Sequence, residues 1–111
     1  MAVPRLNGPH SLSAKSVEQT ITRKAAGVYV LSALEGGISN PRLVGRSDED
    51  VGTGLKGSIG LYSHFAFVYA SSPQNAYEIE CEIYHSAKPP ENTQHPTKPA
   101  DAVWQCPICG K

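Results

Sequence analysis

Gly27-Val28-Tyr29-Val30-Leu31-Ser32 is the stretch around which the rest of the chain arranges itself. β-branched and aromatic residues fill it, so it reads as a strand. Its near-continuous apolar character predicts burial on both faces. Just downstream, Glu35-Gly36-Gly37-Ile38-Ser39-Asn40-Pro41 is a turn by composition. Arg42-Leu43-Val44-Gly45 then resumes a short strand, so the two segments predict a hairpin. A further strand is predicted from Leu61 to Ala70. There Phe65, Phe67 and Tyr69 share one face by period two, and His64, Ala66 and Val68 share the other.

Helices are predicted between these strands. Ser16 can cap a short helix running to Lys24, with Gln19 at the reciprocal capping position. After Ser47, a second capping serine, Asp48-Glu49-Asp50 put negative charge where a helix begins. Val51, Leu55 and Ile59 would form that helix's apolar stripe. Gly52, Gly54 and Gly57 weaken it by about 1 kcal/mol each relative to alanine. Ser72-Pro73 opens the clearest helix, which runs to about Ser86 and ends at Lys88-Pro89-Pro90. Ala76, Ile79 and Ile83 define its core direction, with Glu78 and Glu82 on the solvent face.

The predicted fold class is therefore α+β, a small three-stranded, mainly antiparallel sheet flanked by helices. Residues 1–15 are predicted as a flexible arm, 16–92 as the folded α/β domain, and 93–111 as a tail packed on the last helix.

Composition bounds the function. A chain of 111 residues is one domain, and 40% apolar against 18% charged residues excludes a high-charge disordered chain. Ten Lys+Arg balance ten Asp+Glu. Duplex nucleic acid held through bulk positive charge is thereby disfavoured, and any such partner would need a local basic patch. No apolar run approaches a membrane span, so no membrane partner is expected. Met1-Ala2-Val3-Pro4-Arg5 lacks the apolar stretch of a signal peptide, and the expected location is the cytoplasm. None of this specifies an oligomeric state.

Three cysteines are an odd count, which argues against a pure disulfide framework. Cys106-Pro107-Ile108-Cys109-Gly110 is a CPxCG knuckle whose two thiolates can face one ion. A structural zinc takes four ligands. Cys81 and His85 stand i,i+4 on the last helix and supply the other two, giving a closed Cys3His set. His95 is the rival for the fourth position. The alternatives are a redox Cys106–Cys109 pair and a Cys81 that serves only as a small core residue.

Gly27-Val28-Tyr29, Leu43-Val44-Gly45-Arg46-Ser47, Ala76-x3-Glu80 and Asn92 together resemble the GIY-YIG nuclease domain, over about Ala26 to Asn92. Such domains are small mixed α/β nucleases that cut phosphodiesters with one divalent metal. The resemblance implies that residues 16–92 form a GIY-YIG-like domain with Tyr29 near an attacking water, Glu80 on magnesium and Asn92 as the late asparagine. It also implies three losses. Leu43 stands where the second motif has tyrosine, Gly54 where the family has its phosphate-binding arginine, and Ser58 where histidine or tyrosine is usual. Phosphoryl transfer needs positioned positive charge, which glycine does not supply. Arg46 is the candidate substitute for the missing arginine.

Glu80 has support from helix geometry as well. It lies roughly 40° from Ala76 and 60° from Ile83, so its carboxylate wants a partner or a cation.

Three functions follow as expectations. The first is a zinc-stabilised GIY-YIG-like domain, catalytically degenerate, that binds nucleic acid. The second is an active, divergent magnesium-dependent endonuclease using Tyr29, Arg46 and Glu80. The third is a zinc-stabilised protein-interaction module.

Overall fold

The computed structural model describes residues 6–111. In chain order they form β1 (Asn7–Ser11), α1 (Ala14–Thr20), β2 (Gly27–Glu35), β3 (Ile38–Ser47), α2 (Val51–Lys56), β4 (His64–Tyr69) and α3 (Pro73–Ala87). The α+β class stands, but the sheet has four strands, in the order β1-β4-β2-β3, and every pairing is antiparallel.

β2 is central, and its alternation explains the layers. Val28 and Val30 point to one side, where Val44 and the α3 residues Ala76, Ile79 and Ile83 complete a buried cluster. Leu31 points to the other side and joins Leu12, Val17, Val51, Leu55, Phe65 and Phe67 beneath α1 and α2. The strand is thus buried on both faces, as its composition predicts. Phe65 and Phe67 lie in one cluster and Val68 packs on the other, as period two requires.

Several boundaries move. Part of the segment predicted as a flexible arm is a strand: Asn7–Ser11 pairs with β4, with a register shift between Asn7 and His10. Residues 1–5 of that predicted arm lie outside the described residues. α1 starts earlier than predicted, because Ser13 rather than Ser16 is its cap and accepts from the Ser16 N–H at 3.1 Å. Leu12 N–H bonds to the Ser63 carbonyl at 2.9 Å, which fixes the chain just before that cap. The predicted turn shrinks to Gly36-Gly37, where positive φ values of 58° and 83° suit glycine. Pro41 falls inside β3, beside a bulge opposite Leu31 and Ser32. β3 is an edge strand, where a missing N–H is tolerated.

α2 is capped by Asp50, not Ser47. The Asp50 carboxylate accepts from the Gly52 N–H at 3.1 Å and the Thr53 hydroxyl at 2.9 Å. The helix stops at Lys56, so Ile59 is not part of its stripe and remains exposed. α3 matches expectation: Ser72 caps it, Pro73 starts it, and Lys88 ends it in the left-handed conformation at φ 48°. Glu82 does not face solvent. It is 3% exposed, lying about 60° on the helical wheel from Ile79. Leu6 packs on the cluster to which Ile79 belongs.

Tyr29 projects toward α2 and fills the space over two glycines. A Cβ on Gly45 would stand 2.7 Å from the Tyr29 ring, and one on Gly54 would stand 3.2 Å from it. Gly45→Ala is therefore expected to lower stability by about 1–3 kcal/mol through overpacking. The cost should shrink on a Tyr29→Leu background, and urea unfolding of the four combinations measures both effects. None of the described helices is long and apolar enough to cross a membrane.

Candidate metal centre

The metal donors arrive on three pieces of chain. α3 carries His85 in its last turn. After Lys88 the chain reverses and is fastened to β3. Glu91 N–H donates to the Arg42 carbonyl at 3.0 Å. The Asn92 side chain makes both bonds of a strand residue to Val44: it accepts from its N–H at 2.7 Å and donates to its carbonyl at 3.0 Å. That anchor sends the chain back over α3 and delivers His95. The knuckle then closes on itself, with Gly110 N–H on the Cys106 carbonyl at 2.9 Å and Cys106 N–H on the Lys111 carbonyl at 2.7 Å. Gly110 sits at φ +81°, which a side chain would oppose.

His85, His95, Cys106 and Cys109 each present a donor atom, and the four lie within 4.8 Å of one another. Donors around a tetrahedral ion at zinc distances stand roughly 3.3–3.8 Å apart, and Cys109 Sγ is 3.3 Å from His95 Nε2. Two further observations suit a cation. His85 Nε2 is buried with no hydrogen-bond partner. His95 Nδ1 lies 3.0 Å from the Pro96 carbonyl, a contact that fixes the proton there and leaves the Nε2 lone pair free. Burial pushes the Cys106 thiol up, but hydrogen bonds from the Cys109 and Ile108 backbone, joined by His95, bring it down to about 6. A thiol so placed is readily a thiolate, the form that ligates.

The donor group that comes together is His2Cys2, with His95 where the expected Cys3His set has Cys81. Cys81 is completely buried against Tyr77 and Cys106, with Trp104 packed on the same cluster. Burial pushes its thiol up to about 12. It is the small core residue of the alternative reading, lying under the knuckle. Helix spacing put Cys81 and His85 on one face correctly. It did not say that the anchor at Asn92 would bring a second imidazole to His85, at a ring separation of 5.3 Å.

The residues named by the nuclease resemblance converge only in part. Arg46, at the end of β3, donates from Nη1 to Glu80 Oε1 at 2.7 Å and from Nε to Asp48 Oδ1 at 2.8 Å. Both side chains of the first pair are about nine-tenths buried, at 11% and 10% exposure. Burial pushes the Glu80 carboxyl up, and Arg46 opposes the shift. Burial likewise raises the Tyr29 phenol, with a smaller push from the Glu80 charge, but Tyr29 packs on the α1/α2 side of the sheet while Glu80 lies on α3. Among the described residues, no hydrogen bond joins them. Asn92 is spent on β3. Leu43 packs at the margin of the α1/α2 core. Gly54 lies against the Tyr29 ring. Ser58 bonds through its N–H to Leu55 just past α2.

No family model matches the chain, and neither a curated protein nor a solved structure matches it.

Proposed function

We propose that the chain is a zinc-stabilised, GIY-YIG-like domain that no longer cuts phosphodiesters and that binds nucleic acid through a local surface. The observation that carries the zinc reading is the four-donor group of His85, His95, Cys106 and Cys109. Two thiolates and two imidazoles suit zinc among the common divalent ions, and four protein donors leave no position for a catalytic water. The role is structural: it ties the tail to α3. Metal-bearing thiols suit a reducing compartment, which supports a cytoplasmic setting.

Loss of cutting is supported by Arg46. A guanidinium engaged by Glu80 and Asp48 has little charge left to offer a phosphate, and no basic residue stands at Leu43, Gly54 or Ser58. The order hairpin, helix, strand, helix over 27–87 makes the small mixed α/β domain that the resemblance implies. Basic groups that could serve nucleic acid line one cleft between α1 and α2, where Arg23, Lys24 and Lys56 stand beside Glu18 and Asp50.

A second reading, an active magnesium-dependent endonuclease, rests on the resemblance at Tyr29 and on the buried Glu80 carboxylate. The test separates them. Metal analysis of the purified protein should find about one zinc per chain. With magnesium or manganese added, plasmid, duplex, branched and single-stranded substrates should remain intact, while a salt-dependent shift reports binding. Cleavage that disappears in Glu80→Gln would establish the second reading. No cleavage and no shift would leave a protein-interaction module, for which exposed Val103 and Ile108 on the tail provide an apolar surface.

A further inference from the structure

Arg46 is held from four sides. Glu80 and Asp48 take its Nη1 and Nε, while the Tyr77 and Trp104 rings lie 5.2 and 6.0 Å from its guanidinium carbon. Three of these neighbours belong to the sheet and α3 side of the fold. Trp104 alone comes from the tail, two positions before the metal donor Cys106. Cys106, Cys81 and Tyr77 form one buried cluster, and Trp104 packs on it with its ring 5.9 Å from that of Tyr77. Continuous apolar contact therefore runs from a metal donor to the guanidinium.

The tail has few other means of staying down. Val103 and Ile108 face outward. The Tyr77 hydroxyl ties the tail to α3 by donating to the Lys111 carbonyl at 3.0 Å, whereas the Lys98–Trp104 bond joins two residues of the tail itself. What brings Cys106 and Cys109 to His85 and His95 also brings Trp104 to Arg46.

We propose that the metal centre is a latch on Arg46: ion binding docks the tail and seats Trp104 over the guanidinium, and the seated guanidinium strengthens ion binding in return. The proposal rests on the zinc reading and deepens it. Coupling of this kind is reciprocal, so anything the ion does for the Trp104–Arg46 contact that contact must do for ion affinity. Trp104 is here a positioning residue. Metal occupancy decides whether the Arg46–Glu80 pair is sealed beneath a ring or open at one side to water. Cation–π attraction is strongest when the cation is desolvated, and at 11% exposure Arg46 is close to that limit.

Zinc affinity measured against a chromophoric chelator tests this in the full chain. Trp104→Leu keeps an apolar side chain over Tyr77 and removes the contact with Arg46. It should lower zinc affinity about five- to tenfold, and Arg46→Met should do the same. The double variant should fall no further than the weaker single. If Arg46→Met does not fold, Arg46→Met with Glu80→Gln removes the stranded charge and probes the same contact. Trp104 is the chain's one tryptophan, so its emission should shift to the blue when zinc is added to metal-free wild type. That shift should shrink in the Arg46 variants. Unchanged zinc affinity in all variants, with the wild-type emission response intact, would overturn the latch and leave the zinc site standing. A wild-type chain that takes up no zinc would remove the latch and the reading beneath it together.

Discussion

Cys106→Ser and His95→Ala are expected to purify without metal and to lose at least about 3 kcal/mol of stability, whereas Cys81→Ala keeps its full metal content. Metal ligation and folding share one free energy, because the donors come together only in the folded chain. His95 and Cys106 lie on separate pieces of the last 20 residues, and either loss leaves three donors for a site that needs four. Zinc binding in small finger peptides contributes about 10–16 kcal/mol, so a loss of several kcal/mol here is modest. It stays below that figure because two apolar clusters hold the sheet to its helices without help from the tail. Far-UV circular dichroism should accordingly change little while Trp104 emission moves to the red. Cys81→Ala removes one buried sulfur from a packed cluster, a cost of about 1–2 kcal/mol. Metal analysis beside urea unfolding decides the matter. Metal retained by His95→Ala and lost by Cys81→Ala would restore the Cys3His set. Acid should release the ion in the wild type, since imidazole and thiolate bind it only when deprotonated.

Arg46→Met should destabilise the fold by about 3–5 kcal/mol, because it strands the Glu80 carboxylate where water scarcely reaches. Arg46 also spans Asp48, Tyr77 and Trp104, so its removal loosens the junction of β3, α3 and the tail. Glu80→Gln alone should cost less, about 1–2 kcal/mol. The amide still accepts a hydrogen bond from Arg46, and Asp48 still balances its charge. The double change Arg46→Met, Glu80→Met replaces the pair with apolar chains of similar length, and its stability should return to near wild type. A double-mutant cycle with Glu80→Met in urea reads the coupling directly, and it should be at least about 3 kcal/mol, the loss in Arg46→Met alone. Additive losses would mean that the pair is solvated and contributes little beyond its parts.

How much of this was readable beforehand depends on where each element's order comes from. β2, β4 and α3 carry their own patterns: a buried strand of Val28, Val30 and Leu31, a period-two set at Phe65 and Phe67, and a Ser72-Pro73 start. Burial of those patterns is what folds them, so the sequence states them openly. β1 carries no such pattern. Asn7-Gly8-Pro9-His10-Ser11 contains none of the aliphatic or β-branched residues that mark a strand, and it is ordered by backbone pairing to β4. The metal site divides in the same way. Local spacing reveals the knuckle and places His85 on α3. His95 reaches the site only through the Asn92 anchor on β3, a tertiary event with no local signature. Cys81 instead packs against Tyr77 and Cys106 and lies outside the four-donor group, which is likewise a matter of tertiary placement.

The Asn92 anchor also bears on how copies of this chain meet one another. A sheet ends in two rows of backbone groups, and an unguarded row is a template for edge-to-edge association and fibre growth. On β3, Glu91 and the Asn92 amide occupy bonds that an incoming strand would need. On β1, Pro9 offers no N–H, and the register shift beside it breaks the regular spacing that a partner would have to match. Both borders of the sheet are thus guarded by different devices, one a side chain posing as backbone and the other a missing donor. Removing the amide at position 92 would open the β3 border to strand addition by a neighbouring molecule.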